Sequence, residues 1–133
     1  MDKINCDVRK MFLIISHELD EFQKKQAEEF FNIKFFIKLP QELQKKWANI
    51  PPEIADIEEN IKDIKEFIIS NSSKGDIVLV QGDYGATYKI VNFCKKNGLI
   101  PVYATTKRIA EEKKEGDNTV IKRIFKHVRF REY

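Results

Sequence analysis

The residues best suited to chemistry form a short polar segment between an apolar run and a predicted helix. They are Gln81, Gly82, Asp83, Tyr84, Gly85, Ala86 and Thr87. The two glycines let backbone N–H groups approach an anion at the positive end of the helix, and Thr87 adds a hydroxyl donor. The spacing matches neither the GxxxxGK(S/T) phosphate loop nor the GxGxxG fingerprint, which disfavours a Walker nucleotidase and an ordinary dinucleotide dehydrogenase. Asp83 disfavours a free phosphate directly beside it and favours contact with a hydroxyl, contact with a base edge or a structural contact.

This segment also has a purely structural interpretation, in which the glycines make the turn and Thr87 caps the helix. Two other polar segments follow apolar runs, and each again allows a functional and a structural interpretation. Ser16 and His17 follow the first run, where a histidine is more often a capping or packing group than a catalyst. Thr105, Thr106, Lys107 and Arg108 follow a later run, where two hydroxyls and two cations suit phosphate oxygens or form a solvated charge pair. In an open α/β sheet, ligands bind at the carboxyl ends of strands, so we expect these three segments to be strand ends.

The elements that must position these residues alternate between strands and helices. Apolar runs predict strands at 11–15, 35–39, 76–80 and 99–104, with Pro101 near an edge or at a strand's beginning. Between them we expect helices from Asp20, over 41–50 and over about 85–97, the last ended by a left-handed cap at Asn97 and Gly98. A longer helix carries a one-sided isoleucine stripe at positions 54, 57, 61, 64 and 68. The alternation predicts a three-layer α/β fold of Rossmann type around a mainly parallel sheet.

The C-terminal segment is predicted to be β-rich, after an exposed loop or hairpin tip at residues 111–117. Strict alternation would put Phe125, His127, Arg129 and Arg131 on one face, and Ile124, Val128 and Phe130 on the other. The first ten residues are polar and without periodicity, so we expect an N-terminal extension at 1–10 and a single domain at 11–133.

Composition and charge narrow the class of protein. Residues 1–71 hold 11 Lys/Arg and 14 Asp/Glu, whereas residues 72–133 hold 13 and 7. The basic C-terminal half favours an anionic partner such as a nucleotide, RNA or phosphate, although clustered lysines often form a solvated face. Two cysteines far apart predict a reducing, cytoplasmic compartment, with Cys94 in the core. No run approaches a membrane span, and no metal-ligand motif such as HExxH or CxxC is present, so neither membrane nor metal nor cofactor is expected.

From Met11 onward the chain resembles small stand-alone CRISPR-associated proteins of type III systems with a CARF-like (CRISPR-associated Rossmann fold) architecture. The resemblance rests on FLIISH at 12–17, LP at 39–40, Leu43, Trp47, IPP at 50–52, GD at 75–76, VQGDYGATY at 80–88, PVYATTKR at 101–108 and FKHVRFR at 125–131. Related domains carry a Gly-Gly-Thr-like helix start and a Ser/Thr after the first strand, which Gly85-Ala86-Thr87 and Ser16 match, with alanine replacing the second glycine.

The resemblance implies a ring nuclease that degrades a cyclic oligoadenylate messenger, with cyclic tetra-adenylate favoured, and so switches off antiviral signalling. Cleavage would be metal-independent, by attack of the 2′-OH on the adjacent phosphate, giving linear products with 2′,3′-cyclic phosphates. The candidate catalytic residues are Ser16, His17 and Lys107. The candidate ligand-binding residues are Gln81, Gly82, Asp83, Tyr84, Gly85, Ala86, Thr87, Thr105, Thr106 and Arg108, with His127 and Arg129 as weaker candidates.

The expected partners are cyclic oligoadenylate and a second copy of the chain, and no DNA. A ring of four adenosines has two-fold symmetry, so the expected receptor is a homodimer with the site at its two-fold interface. Two alternatives stay open. One is a non-catalytic sensor or sponge for the messenger, and the other is a generic nucleotide- or RNA-binding module that uses the basic strand at 122–131.

Overall fold

The computed structural model describes residues 9–133, and five strands and four helices alternate along them. In chain order they are β1 (Arg9–Ile14), α1 (Glu21–Phe31), β2 (Ile33–Lys38), α2 (Gln41–Ala48), α3 (Glu58–Asn71), β3 (Ile77–Val80), α4 (Tyr84–Lys96), β4 (Ile100–Glu115) and β5 (Asn118–Glu132). The expected α/β alternation is therefore confirmed. Pro101 is the second residue of β4, where its missing N–H is tolerated.

The strands form one sheet in the order β2-β1-β3-β4-β5. The pairs β1/β2, β1/β3 and β3/β4 are parallel, whereas β4/β5 is antiparallel. The expectation of a mainly parallel sheet is confirmed. The chain steps from β1 outward to β2 and then back across β1 to β3, so the order reverses between β1 and β3. This is the place in an open α/β sheet where the loops diverge and leave a crevice.

Helices cover both faces of the sheet. On one face, Ala27 of α1 packs with Met11, Leu13, Leu79 and Phe130. On the other face, α2, α3 and α4 bury Trp47, the isoleucines Ile61, Ile64 and Ile68, and Ala86, Ile90 and Cys94 against Phe12, Ile14, Val78 and Val80. Strands β1 and β3 thus have side chains buried on both faces, which explains why they read as continuous apolar runs.

The isoleucine stripe forms one face of α3 as expected, but the helix begins only after the first two isoleucines of the stripe. Helix α3 begins at Glu58 with Ile57 as its N-cap, and Ile54 lies in the preceding segment, 43% exposed. Glu58 and Glu59 in the first turn complement the positive end of the helix. Glu58 also binds Lys89 and Lys65, whose ammonium groups lower the pKa of its carboxyl.

Strand β1 begins two residues before the expected domain start, so Arg9 and Lys10 belong to the sheet. The remaining expected extension, residues 1–8, lies outside the described residues. Lys10 is tied to Asp76, a carboxylate that is only 2% exposed. Asp76 accepts hydrogen bonds from the backbone N–H of Lys10 (3.1 Å) and of Ser73 (2.8 Å), and its Oδ2 lies 3.2 Å from the Lys10 ammonium. A buried carboxylate with these partners fixes the start of β1 beside the turn before β3.

The prediction of a strand at 99–104 is wrong about where the strand ends. Strand β4 starts at Ile100 and continues through Glu115, then pairs with β5 over its whole length. We call residues 105–129 the arm, because this two-stranded ribbon continues beyond the last residue of β4 that pairs with β3, Val102. The acidic and basic residues at 111–117 form the end of this hairpin, with Gly116 in a left-handed conformation (φ +61°), as one of the two alternatives predicted.

A bulge breaks the alternation expected along β5. Thr105 pairs with Arg129 and Thr106 pairs with His127, so Val128 is an extra residue. An extra residue reverses the side-chain alternation beyond it. His127 therefore shares the α1 face with Phe130, and the predicted common face for His127 and Arg131 is wrong.

The end of α4 follows the expected pattern with one difference. Gly98 adopts the left-handed conformation (φ +73°), while Asn97 has φ −108°. The left-handed cap therefore rests on the glycine alone.

Candidate functional site

The ends of β1 and β3 lie side by side where the strand order reverses. Ile14 pairs with Val80, and the backbone N–H of Gln81 donates to the Ile14 carbonyl at 3.1 Å. The segments that follow, with Ser16 on one strand and Gly82 on the other, therefore leave the same edge of the sheet about one strand spacing apart, roughly 5 Å. The structure thus brings two of the three predicted segments together.

Gln81 and Gly82 serve mainly to hold the β3–α4 loop in place. The Trp47 indole Nε1 donates to the Gln81 carbonyl at 3.0 Å, and the Gln81 side-chain Oε1 accepts from the N–H of Ala104 at 3.0 Å. A Cβ on Gly82 would lie 2.8–2.9 Å from three atoms of the indole. Glycine is needed there because the buried Trp47 ring packs directly against the backbone.

Asp83 is the N-cap of α4, so the interpretation in which Thr87 caps the helix is wrong. Asp83 Oδ2 accepts from the Ala86 N–H at 3.0 Å, and the Asp83 carbonyl accepts from the Thr87 N–H at 2.8 Å. The carboxylate occupies the Ala86 N–H, which an anion could otherwise use, and repels a phosphate at the first turn. Gly85 has room for a side chain, since the nearest atom to a Cβ built there would be 3.6 Å away.

Thr87 carries a polar atom with unused hydrogen-bonding capacity. Its Oγ1 is buried, and no residue among 9–133 makes a hydrogen bond with it. A buried hydroxyl without a partner costs free energy, so its presence needs an explanation. A bound molecule that hydrogen-bonds with Thr87 would supply one.

A pocket of about 360 Å³ adjoins Thr87, and we call it the tyrosine pocket. It is lined by Gln81, Gly82, Tyr84, Thr87, Tyr103 and Tyr133. The Tyr103 and Tyr133 rings lie 4.8 Å apart, and the Tyr133 hydroxyl donates to the Val80 carbonyl at 2.5 Å. Burial, with a smaller contribution from Tyr103, raises the pKa of Tyr133, which keeps its hydroxyl protonated as a donor. Tyr84 is 96% exposed at the mouth and offers a free aromatic face.

Ser16 and His17 line a second, smaller pocket of about 170 Å³ at the ends of β1 and β2. Its rim carries the Glu18–Lys38 ion pair at 2.9 Å, which lowers the pKa of the Glu18 carboxyl. Gln44 closes the floor by donating to the Ile15 carbonyl at 2.6 Å. Ser16 and His17 are both exposed, and neither side chain hydrogen-bonds with another residue of the described chain. Both are therefore available to a ligand, and the imidazole is not oriented by a carboxylate.

The third predicted segment is not a strand end. Thr105 and Thr106 lie inside β4, where the Thr105 hydroxyl donates to the Arg129 carbonyl at 3.0 Å and accepts from its N–H at 3.2 Å. These bonds close the bulge. Lys107 lies four residues beyond Tyr103, roughly 13 Å along an extended strand. The Arg108 guanidinium stacks on Phe125 at 5.3 Å. The expectation that these cations sit at the edge with Thr87 is wrong, because β4 continues past that edge.

His127 has a structural environment on the α1 face. Its Nδ1 lies 3.3 Å from Gln23 Nε2, and its Nε2 lies 2.7 Å from Gln26 Oε1. These partners fit a neutral ring that accepts at Nδ1 and donates at Nε2. The ring packs against Phe22 and Phe130, and burial lowers its pKa despite the opposing charge of Asp20.

Arg129 is the other weaker candidate on β5, and it does not line the tyrosine pocket either. Its Nε donates to the Phe130 carbonyl at 3.2 Å, and the residue borders a groove with Phe30 and Val128. Both weaker candidates on β5 thus lie away from Thr87.

Three residues near the site were not among the predicted site residues: Tyr103, Arg131 and Tyr133. Tyr103 pairs with Arg131, whose Nε donates to the Tyr103 hydroxyl and whose guanidinium lies 5.1 Å from the ring centre. Tyr133 reaches the end of β3 because its N–H donates to the Pro101 carbonyl at 3.1 Å. Only the antiparallel pairing of β5 with β4 places these residues, and no local sequence signal specifies that pairing.

Among residues 9–133, no group of three or more His, Cys, Asp or Glu side chains is arranged to hold a metal ion. None of the four helices in that range has the length and apolar character needed to cross a membrane.

Comparisons with known proteins identify a family. The model of the family described as "Uncharacterized protein MJ1673 family" matches residues 9–131. The protein "Uncharacterized protein MJ1673" of Methanocaldococcus jannaschii is 48% identical over 124 residues, which cover 93% of this chain and 96% of that protein. No solved structure matches. The chain therefore belongs to the MJ1673 family.

Proposed function

We propose that this MJ1673-family protein is a ring nuclease that binds a cyclic oligoadenylate, with cyclic tetra-adenylate favoured, at the shared edge of β1 and β3. The proposal joins the CARF-like resemblance of the sequence to the crevice between these strands. Its biological role would be to remove the messenger in the cytoplasm and so end type III CRISPR signalling. A Rossmann-like CARF fold is part of the proposal.

The observation that carries the proposal is the unpartnered hydroxyl of Thr87. Thr87 lines a pocket of about 360 Å³, and rotation of its side chain to another rotamer would turn the buried hydroxyl toward a phosphate or ribose oxygen there. Tyr84, at the pocket mouth, offers a ring on which an adenine can stack. Asp83 is close enough to the same edge to repel a phosphate, so it suits a ribose hydroxyl or the adenine amine. The edge therefore fits a nucleotide by hydroxyl, ring and carboxylate contacts.

The proposed cleavage uses the messenger's own 2′-OH as nucleophile. The 2′-oxygen bonds to the adjacent phosphorus, and the bond from phosphorus to the 5′-oxygen breaks, which leaves a 2′,3′-cyclic phosphate. His17 takes the 2′ proton, and the departing 5′-oxygen takes a proton from water. Ser16 donates to a phosphate oxygen as negative charge develops on it. Lys107 has no part in this step within one subunit, because it lies on the arm beyond the edge.

A non-catalytic sensor or sponge is the second candidate. The observation that favours it is the lack of any side-chain hydrogen bond to His17 among residues 9–133, since a general base is usually oriented by a partner. Binding and cleavage therefore need separate tests. A generic nucleotide- or RNA-binding module would bind linear adenylates as well as rings.

The decisive experiment incubates the protein with cyclic tri-, tetra- and hexa-adenylate in EDTA, with chromatography of the products and a binding titration. Cleavage in EDTA, fastest for the tetramer, supports the ring nuclease. Tight binding without products supports the sponge. If neither occurs, both proposals fail.

Thr87→Val tests the proposed contact with an almost isosteric change. Loss of one hydrogen bond to a charged group corresponds to about a tenfold weaker affinity or more. Thr119→Val at the far end of the arm is the matched control and should bind normally. His17→Ala should bind normally but cleave about 10²–10⁴-fold more slowly, as expected for loss of a general base. Normal affinity of Thr87→Val would remove the basis of the proposed site.

A further inference from the structure

The arm is a two-stranded ribbon that leaves large apolar side chains uncovered: Ile121 is 60% exposed and Phe125 is 62% exposed. Every residue from 110 to 123 is exposed. Two isolated strands are only marginally stable in water, and they need a further layer to pack against. The arm's base has such a layer, since His127 hydrogen-bonds with Gln23 and Gln26 of α1. The outer part of the arm, from Phe125 to the turn, lies beyond that contact.

Two exposed apolar residues of the arm, Phe125 and Ile121, lie on the same side of the sheet as exposed apolar residues of α1. Phe125 and Ile121 are two and six residues from His127 in β5, so all three share one face of the arm. On α1, Phe22 is 54% exposed and Phe30 is 72% exposed. Phe30 borders a groove of about 360 Å³ with Val128 at the arm's base. Together they form one apolar surface, which we call the α1–arm face.

We propose that a second copy of this chain covers the α1–arm face, with each arm lying along helix α1 of the other copy. A two-fold arrangement makes this contact twice, so each apolar side chain of the arm meets an apolar side chain of α1. Phe125 and Ile121 of one copy would pack on Phe22 and Phe30 of the other.

The size of the exposed surface fits a dimer. Phe22, Phe30 and Phe125 are 54%, 72% and 62% exposed. At roughly 150–250 Å² for each ring, they leave about 280–470 Å² uncovered per copy. A stable interface buries about 800 Å² per partner with an apolar centre and a polar rim. These rings therefore account for about half of such an interface, and Ile121, Val128 and the charged rim can supply the rest.

Charge complementarity supports the same partner. The arm, residues 105–129, has eight Lys/Arg and four Asp/Glu, and all four acidic residues lie in its tip at 111–117. Residues 18–29, which include most of α1, have two Lys/Arg and five Asp/Glu. The part of the arm outside its tip therefore attracts α1 of the other copy. A nucleic acid would also be attracted to the arm, but it would leave Phe22 and Phe30 on α1 uncovered. A second copy carries both apolar groups and both charges, so it can cover the arm and α1 in one contact.

This arrangement has a consequence for the proposed ligand site, and only this step rests on the proposed function. The arm points past the edge of the sheet at which β1 and β3 end. Two arms packed in opposite directions would turn those edges toward one another, around a space that both copies share. Lys107 and Arg108 would flank that space, although neither reaches the site of its own subunit.

The test is the molar mass of the full chain in solution without any ligand, by light scattering and sedimentation from 1 to 100 μM. We expect twice the 15.7 kDa of one chain. Phe30→Ser and Phe125→Ser should each raise the dimer dissociation constant at least tenfold. Phe35→Ser is the matched control, because Phe35 is 58% exposed on the far edge strand β2 and should leave the dimer intact.

A double-variant cycle sharpens the test. If Phe30 and Phe125 touch across the interface, the pair of substitutions should weaken the dimer less than the product of the single effects. Circular dichroism confirms that the variants stay folded, as expected for exposed positions. A wild-type protein with the mass of a monomer overturns the inference, and it does so even if the arm binds duplex RNA. A dimer that neither Phe30→Ser nor Phe125→Ser weakens overturns it as well. The mass is measured without nucleotide, so the dimer can be established even if the protein does not bind cyclic tetra-adenylate.

Discussion

Replacing Gly82 with alanine should destabilise the protein through its contact with Trp47. The new Cβ would lie 2.8–2.9 Å from the indole, about half an ångström closer than ordinary contact. The ring is 2% exposed, and its Nε1 donates to the Gln81 carbonyl at 3.0 Å, so it has little freedom to move. Overpacking of a core costs about 1–3 kcal/mol, and weakening the indole hydrogen bond adds up to about 1 kcal/mol. We expect a loss of about 2–3 kcal/mol in the free energy of unfolding.

Urea unfolding followed by tryptophan fluorescence measures this directly, since Trp47 is the chain's single tryptophan. At roughly 1–3 kcal/mol per molar urea, the midpoint should fall by about 0.7–3 M. Gly85→Ala is the matched control. Its Cβ would meet its nearest atom at 3.6 Å, and alanine in a helix is favoured over glycine by about 0.5–1 kcal/mol. The two alanines should therefore have opposite effects, and equal midpoints for both variants would refute the reasoning.

Three further predictions concern ionisable groups away from the site. Asp76→Ala should cost about 2–4 kcal/mol in urea unfolding, because it leaves two backbone N–H groups and an ammonium without their carboxylate. Folding lowers the pKa of His127, so the unfolded chain takes up a proton at a higher pH than the folded protein does. The stability that neutral His127 contributes is therefore complete above about pH 6.5 and declines as the pH falls toward the pKa of the folded state. His127→Gln should remove this pH dependence of the urea midpoint, whereas His17→Gln should retain it. Burial raises the pKa of Cys94 to about 12, so in a Cys6→Ser background the thiol should react with a disulfide reagent at pH 8 only after unfolding, and rapid labelling of the folded protein would contradict its burial.

Elements with a strong local pattern were predictable from the sequence. The isoleucines at 61, 64 and 68 repeat with the period of a helix, and they all face the sheet from α3. The apolar runs of β1 and β3 are buried on both faces, as such runs predict. Asp20 caps α1 through a hydrogen bond with the Gln23 N–H at 2.8 Å, and Cys94 lies in the core, both as expected. In each case the controlling interactions lie within a few residues or follow from burial alone.

The arm was not predictable, because it depends on pairing between distant residues. The segment after Ala104 is polar, which indicates a strand end, yet β5 supplies the hydrogen bonds that let β4 continue. The bulge at Val128 is likewise set by the register of two strands, and it moves His127 to the face opposite the one expected. The site was predicted in part. The loop at 81–87 was identified, but Trp47 behind Gly82 and Tyr133 beside Thr87 come from elsewhere in the chain.

The net positive charge of the described chain does not lie at the edge where the ligand is proposed to bind. Outside the arm, residues 9–104 and 130–133 together hold as many Lys/Arg as Asp/Glu, so the net positive charge of the described chain lies on the arm. The edge of β1 and β3 offers hydroxyls and aromatic rings, and Asp83 adds a negative charge to it. The described part of the same subunit places only two cations near this edge, and both are engaged: Lys38 pairs with Glu18, and Arg131 is held by Tyr103. The arm of a second copy would add Lys107 and Arg108 for a polyanionic ring. Phosphate binding and dimer formation should therefore be coupled, so a dimer-breaking substitution such as Phe125→Ser should weaken cyclic tetra-adenylate binding without touching the pocket.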